Sequence, residues 1–204
     1  MRLKTFFLIL LIPVVLSGCQ TLSCRQFEVT GPSHFIISPA DGMISSIVEI
    51  KEGAVPEIND AGKTAYLKEL AGKLTGDYRL ILIFMKPFNY HGILSPLDGT
   101  VAEVSHTPGS FRNLYEKDAY LENERSCVLI DGEVRLAIIP VAGFLYRRIR
   151  LDVFSGDSVA RGACIGRILW GSAVGIMLPA TCPLRVKVGE KVRVGKSIIA
   201  ELPQ

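Results

Sequence analysis

"VFSGDSVARGACIGRI" (Val153–Ile168) and "VKVGEKVRVGKSIIAEL" (Val186–Leu202) carry the same pattern twice. Gly156, Val159, Gly162 and Ile165 recur as Gly189, Val192, Gly195 and Ile198, each 33 residues later. Glycine supplies the backbone freedom of tight turns, and the Val and Ile positions between those turns supply one inward face. Short strands separated by glycine turns predict a mostly-β chain.

Two more segments repeat upstream. "SPADGMISSI", from Ser38, and "SPLDGTVAEV", from Ser95, each set a proline, a glycine three residues on, and then alternating apolar positions. "PVAGFLYRRI", from Pro140, keeps the outline without the aspartate. A proline at a strand start followed by a turn glycine reads as a strand entered through a turn. The C-terminal repeat resembles the half-barrels of lipoyl and biotinyl carrier domains. The expected fold is therefore mostly β: a compact barrel-like sandwich with lipoyl/biotinyl-like half-barrel repeats and one or more short helices. A helix is expected over "TAYLKELAGKL" (Thr64–Leu74), where Tyr66, Leu67, Leu70 and Leu74 share a face that Lys63, Lys68 and Lys73 avoid. A lipoate or biotin carrier would show a lysine between its half-motifs, and residues 169–185 contain none.

The chain has 204 residues, enough for one domain with a real core. A formal charge of +3, spread along the chain without a basic run interleaved by aromatics, argues against a nucleic-acid partner. Mean hydropathy is +0.33, much of it from the N-terminus. There Arg2 and Lys4 precede "TFFLILLIPVVL" (residues 5–16) and then "SGCQ", a secretory-type signal. The apolar run is short for a membrane span and holds Pro13. "LSGC" (Leu16–Cys19) resembles the lipobox of bacterial lipoproteins, which implies lipidation at Cys19; the other reading is an uncleaved hydrophobic anchor. Both place the chain at a membrane, the lipobox at the bacterial inner membrane, with the leaflet open. Residues 1–19 are thus read as signal peptide and lipobox or anchor, 20–34 as linker and 35–204 as the domain. With Cys19 lipidated, Cys24, Cys127, Cys164 and Cys182 permit three disulfide pairings, or Cys127 and Cys164 are plain core residues. No Cys/His spacing suits a zinc site, so no metal is expected.

Chemistry is sought at two places. "LWGSAVGIMLP" (Leu169–Pro179) reads as a buried strand interrupted by Gly171-Ser172. Such a glycine marks a bulge or a close backbone approach, or else a peptide bond that is itself attacked. His91 lies in "FMKPFNYHGILSP" (Phe84–Pro96), after an apolar strand and beside a glycine, where it could reach into a cleft or sit partly buried and hydrogen-bonded. His34 and His106 have no such context. Asp41 and Asp98 hold equivalent places in the upstream repeat, where Asp before Gly is ordinary turn chemistry. An aspartate brought near His91 would orient the ring and favour its protonated form.

"SPADG" (Ser38–Gly42), "FMKPFNYHGILSPLDG" (Phe84–Gly99), "NER" (Asn123–Arg125), "VAGFLYRRI" (Val141–Ile149), "GDSVARGACIGRILWGSAVGIMLP" (Gly156–Pro179) and the final glycine repeat occur in that order. Together they resemble the phosphatidylserine decarboxylase proenzymes, in particular the short bacterial and archaeal-type, pyruvoyl-dependent form, over residues 35–203. The resemblance implies self-cleavage between Gly171 and Ser172, with Ser172 attacking the Gly171 carbonyl. β-Elimination and hydrolysis with loss of ammonia would then leave a pyruvoyl cofactor at residue 172. It also implies a β chain ending at 171 and an α chain of residues 172–204 that stay together as a heterodimer. The implied reaction is decarboxylation of a membrane phospholipid, phosphatidylserine, to phosphatidylethanolamine. Asp41 and His91 match the aspartate and histidine linked to cleavage and proton transfer in the family.

Three positions depart from the family pattern: Asn89 where many relatives have Asp, Leu94 where a second histidine or an arginine is common, and Ala173 where Thr or Arg is common. Leu94 would leave His91 to serve both steps, and Ala173 removes a polar contact to a headgroup. Two other readings stand beside this one. The first is a related decarboxylase of another serine-headgroup lipid or of an amino acid. The second is a non-catalytic, membrane-anchored barrel adaptor. A homo-oligomer is left open.

Overall fold

The computed structural model describes residues 29, 31–54, 57–60, 63–66, 70, 72–114, 119–144, 148–168 and 172–203. The first half of the chain contributes β1 (Phe35–Ile37), β2 (Gly42–Ile50), β3 (Glu57–Asp60), β4 (Lys63–Tyr66), β5 (Tyr78–Met85), β6 (Gly92–Leu94) and β7 (Gly99–Thr107). A single helical turn, α1 (Ala119–Glu122), precedes β8 (Arg125–Gly132), β9 (Arg135–Val141), β10 (Ile149–Leu151) and β11 (Ser158–Val159). The chain closes with β12 (Cys164–Ile168), β13 (Ser172–Pro179), β14 (Lys191–Val192) and β15 (Ile198–Glu201).

An eight-stranded sheet in the order β11-β7-β8-β9-β13-β5-β2-β14 forms the centre. Its middle strands are apolar almost without break, as strands buried on both faces must be. One face, with Ile44, Ile81, Ile83, Val128, Ile138, Val174 and Ile176, packs against the small sheets β10-β12-β6 and β1-β15. The other face buries Leu80, Leu82, Leu129, Ile139 and Met177 with Leu70 and Leu114. Full burial of each such side chain contributes about 1.5–3 kcal/mol. The result is a curled, sandwich-like half-barrel, as the glycine repeats predict. All four repeat glycines have positive φ, from 69° to 95°, which explains why glycine is kept there.

The repeats are the visible part of an internal two-fold. Ile37 N–H donates to Pro96 O (3.1 Å), and Leu94 N–H, 57 residues on from Ile37, donates to Pro39 O (3.0 Å). That reciprocal exchange is the signature of an isologous contact. Gly189 N–H meets Ile44 O (2.8 Å) as Gly156 N–H meets Val101 O (2.7 Å). Asp41 Oδ1 accepts from Val194 N–H (2.7 Å) as Asp98 Oδ1 accepts from Arg161 N–H (2.8 Å). One unit is β1-β2-β5-β13-β14-β15 and the other is β6-β7-β8-β9-β11-β12, matched strand for strand. The second unit is inserted whole between β5 and β13 of the first.

The expectation of short helices is overturned. Over the stretch read as a helix, β4 is a strand paired with β3, with Asp60 opposite Lys63. Only two residues then separate the strands, the second of them Gly62, and a two-residue hairpin closure overrides the helical period. Leu70 is buried and Leu74 half-buried against the second cluster, but no helix covers the sheet among the described residues. The lone turn α1 is closed by Asn123 N–H to Ala119 O at 2.9 Å. Cys127 and Cys182 are buried thiols outside any disulfide, and Cys164 is disulfide-bonded. The signal segment, Cys19, most of the linker, and Gly171 also lie outside them.

Candidate active site

Ser172 opens β13, which is hydrogen-bonded on both sides: Ser172 stands opposite Met85 of β5, and Ala173 opposite Phe84 of β5 and Val141 of β9. Side chains alternate along a strand, so Ser172 shares the face of Met85, Val174 and Ile176, and Ala173 points to the other. Ser172 is fully buried. Its hydroxyl donates to the Met85 thioether at 3.5 Å, and sulfur is a weak acceptor. A buried hydroxyl so poorly matched costs about 1–3 kcal/mol against a well-bonded one. Such a cost without structural return marks a functional position.

His91 lies in the segment that joins β5 to the inserted unit. Its ring is buried, and Nδ1 sits 2.6 Å from Asn89 O. A carbonyl only accepts, so Nδ1 carries the proton and Nε2 keeps its lone pair. Burial pushes the His91 pKa below its ordinary value, against the smaller raising effects of the Asn89 carbonyl and the Asp41 charge. The ring is therefore neutral, in the form that can take a proton. The turn that holds it is tight: Asn89 Oδ1 accepts from Lys86 N–H (2.7 Å) and Asn89 N–H donates to Lys86 O (3.0 Å). Gly92 follows because a Cβ there would fall on the Tyr90 ring.

The other seam of the insertion returns to the same place. Ile168 N–H donates to His91 O at 2.9 Å, and residues 169–171 alone separate Ile168 from Ser172. The two sequence candidates thus mark the two junctions between the repeated units.

Asp41 Oδ2 accepts from Tyr90 N–H (3.3 Å) while Oδ1 accepts from Val194 N–H (2.7 Å). It ties the His91 segment to the turn after β14. Among the described residues it orients no imidazole by hydrogen bond; the Asn89 carbonyl does that, and Asp41 acts on the ring through its charge. Asp41→Asn would set an amide N–H against one of the two backbone donors. The expected cost is about 1–3 kcal/mol of unfolding free energy, read from the urea midpoint. Asp98 plays the matching turn role in the other unit, accepting from Arg161 N–H.

The departures acquire places too. Leu94 is a core residue of β6, opposite Cys164. Ala173 is buried on the face away from Ser172, so a longer polar side chain there would not reach the serine's side of the sheet. Sequence reading missed Met85 and the Asn89 carbonyl. The signal for Met85 lies in the β5–β13 register, which pairs residues 87 positions apart.

A sequence profile of the phosphatidylserine decarboxylase family matches residues 22–200. This chain belongs to the phosphatidylserine decarboxylase family. Its similarity to a Methanocaldococcus jannaschii protein, provisionally named an archaetidylserine decarboxylase proenzyme, is 30% identity over 200 residues, covering 98% of this chain and 96% of that one. It is 36% identical over 173 residues to a phosphatidylserine decarboxylase proenzyme of Ralstonia nicotianae, covering 83% of this chain and 71% of the relative. With the corresponding proenzyme of Chlorobium phaeobacteroides it shares 39% identity over 140 residues, 68% of this chain and 66% of that one. The phosphatidylserine decarboxylase relationship therefore spans both seams, His91 and Ser172 included.

Proposed function

We propose that this protein is a pyruvoyl-dependent decarboxylase that converts phosphatidylserine to phosphatidylethanolamine, made as a proenzyme that cuts itself between Gly171 and Ser172. The observation that carries the reading is the Ser172 hydroxyl, fully buried, bonded only to a thioether among the described residues, and opening a strand whose other seam holds a neutral histidine. In this reading His91 Nε2 takes the Ser172 Oγ proton as the oxygen attacks the Gly171 carbonyl. The C–N bond breaks as nitrogen takes a proton, leaving an ester between the two halves of the chain. Loss of the residue 172 Cα proton then expels the Gly171 carboxylate, and water replaces nitrogen at residue 172 with release of ammonia.

Position 172 suits the resulting group. A cut before it leaves Ala173–Met177 in register between β5 and β9, so the new terminus stays where Ser172 was. When present, the pyruvoyl group supplies a ketone conjugated to an amide, which accepts the electron pair freed as carbon dioxide leaves. This chain's residues do the rest: Met85 and the apolar face around it exclude water, and His91 Nε2 would take a proton from the substrate ammonium and return it to carbon.

The lipobox-like segment and the disulfide at Cys164 favour a site outside the cytoplasm, because disulfides persist in oxidising compartments. Among the described residues no helix is long and apolar enough to cross a membrane. The deciding experiment is intact-mass spectrometry of the purified chain, followed by assay on phosphatidylserine and on an ether-linked archaetidylserine in parallel. Two chains and turnover of either lipid support the proposal and choose the lipid. A folded, uncut and inactive chain leaves the adaptor reading.

A further inference from the structure

Five large hydrophobic side chains are exposed among the described residues: Met43, Phe88, Phe144, Phe154 and Val188. The strand register sorts them. Phe88 follows β5, whose last residue pairs with Ser172, and Phe144 follows β9, whose last residue pairs with Ala173. Met43, second in β2, stands opposite Phe84 and Lys191, and Val188 sits in the turn bonded to Ile44. Four of the five therefore gather at the end of the sheet that carries Ser172. Phe154 alone is at the far end, beside Val101.

Phe88 is 97% exposed, yet it belongs to the turn closed by both Asn89–Lys86 hydrogen bonds. An aromatic ring held in water by a fixed turn is costly unless something apolar receives it. Charge follows the same polarity. Lys86, Arg148, Lys187, Lys191 and Arg193 are exposed at or beside the Ser172 end and form no ion pair with a described residue. Of the acids at this end, Glu190 is half-buried and spent on Lys187 N–H, Asp41 on Tyr90 N–H and Val194 N–H, and Glu124 on Ile149 N–H, while exposed Glu122 is paired with Arg112. The far end instead exposes Asp98, Glu133 and Asp157, with Asp131 paired to Arg135.

We propose that the Ser172 end of the sheet docks on an anionic phospholipid bilayer, with Phe88 and Phe144 entering the acyl region and the surrounding lysines and arginines meeting headgroup phosphates. This deepens the proposed function by naming the face that meets the membrane. Docking needs no chemistry, so it is measured on the full chain and on its Ser172→Ala variant alike.

The test places single tryptophans by Phe88→Trp, Phe144→Trp and Phe154→Trp. Quenching by lipids brominated in the acyl chains is read in phosphatidylglycerol–phosphatidylcholine vesicles, with the Trp170 signal of the unsubstituted chain subtracted. Positions 88 and 144 are expected to be quenched at least threefold more than 154, with the contrast shrinking in pure phosphatidylcholine or high salt. Equal quenching at all three positions, or none at 88 and 144, overturns the docking face even if the chain cleaves and decarboxylates. Quenching at 88 and 144 in a chain that never cleaves upholds the docking and removes the proposed function instead.

Discussion

Ser172→Ala is expected to give one intact chain where the unsubstituted protein gives two, with decarboxylation lost entirely. In the unsubstituted protein the smaller product is expected to run from residue 172 to 204 and to begin with a pyruvoyl group, and the larger to end at Gly171. The substitution removes the attacking oxygen and the source of the cofactor together, so no residual route remains. It should hardly disturb the fold. Alanine suits a fully buried position, and the hydroxyl it removes is bonded only to the Met85 thioether among the described residues. The intact variant should still unfold cooperatively in urea, since removing a poorly matched buried hydroxyl relieves a cost rather than adding one. Intact mass and a urea titration on the same sample separate lost chemistry from lost structure. A Ser172→Ala chain that is still cut at 171 would rule out the serine as nucleophile.

His91→Gln should slow cleavage by about 10²–10⁴-fold, the usual worth of a positioned general base. Glutamine can keep a donor for the Asn89 carbonyl while offering no basic nitrogen, so the turn survives and the proton acceptor does not. The pH dependence gives a second readout. Burial lowers the folded pKa of His91, so the ring stays neutral below the ordinary histidine value of 6.5, and cleavage should hold its rate until the pH falls further. For stability the sign is the same. Between the lowered folded value and the unfolded value the unfolded chain binds the proton and the folded chain does not. The contribution is complete above about pH 6.5 and is lost as the pH falls through that window. Rapid-mixing cleavage assays and urea midpoints from pH 8 downward, on both proteins, would show these limbs; a flat profile in the unsubstituted protein would remove His91 as the base.

Much of the scaffold could be read along the chain because its determinants are local. The repeat glycines announce turns that only positive φ can make, and "SAVGIMLP" announces a strand buried on both faces. The failed helix over Thr64–Leu74 shows the limit. A 3.6-residue period in Tyr66, Leu70 and Leu74 competes with a two-residue hairpin closure, and the winner depends on the partner strand β3. The same holds at the candidate site. His91 and Ser172 stand out by residue type, but the group that fixes the His91 tautomer is a main-chain carbonyl, which no side-chain pattern reveals. The partner of Ser172 is set by strand register alone. Asp41 was identified by its repeat, yet its hydrogen bonds are those of a turn tie, as Asp98 makes in the other unit.

The reciprocal Ile37–Pro96 and Leu94–Pro39 hydrogen bonds have a bearing on ancestry. They are what two identical subunits would make across a dimer axis, here drawn inside one polypeptide. A half-length forebear that paired with its own copy, followed by insertion of one copy into the β5–β13 hairpin of the other, accounts for the strand order. The intact copy still keeps that hairpin: β8 runs into β9, with Gly132 N–H on Val134 O at 3.3 Å. In the interrupted copy the same turn was opened, and its two broken ends became Lys86–His91 and the segment leading to Ser172. Both candidate residues, His91 and Ser172, lie on that join, the one place neither half had needed to keep for its own core.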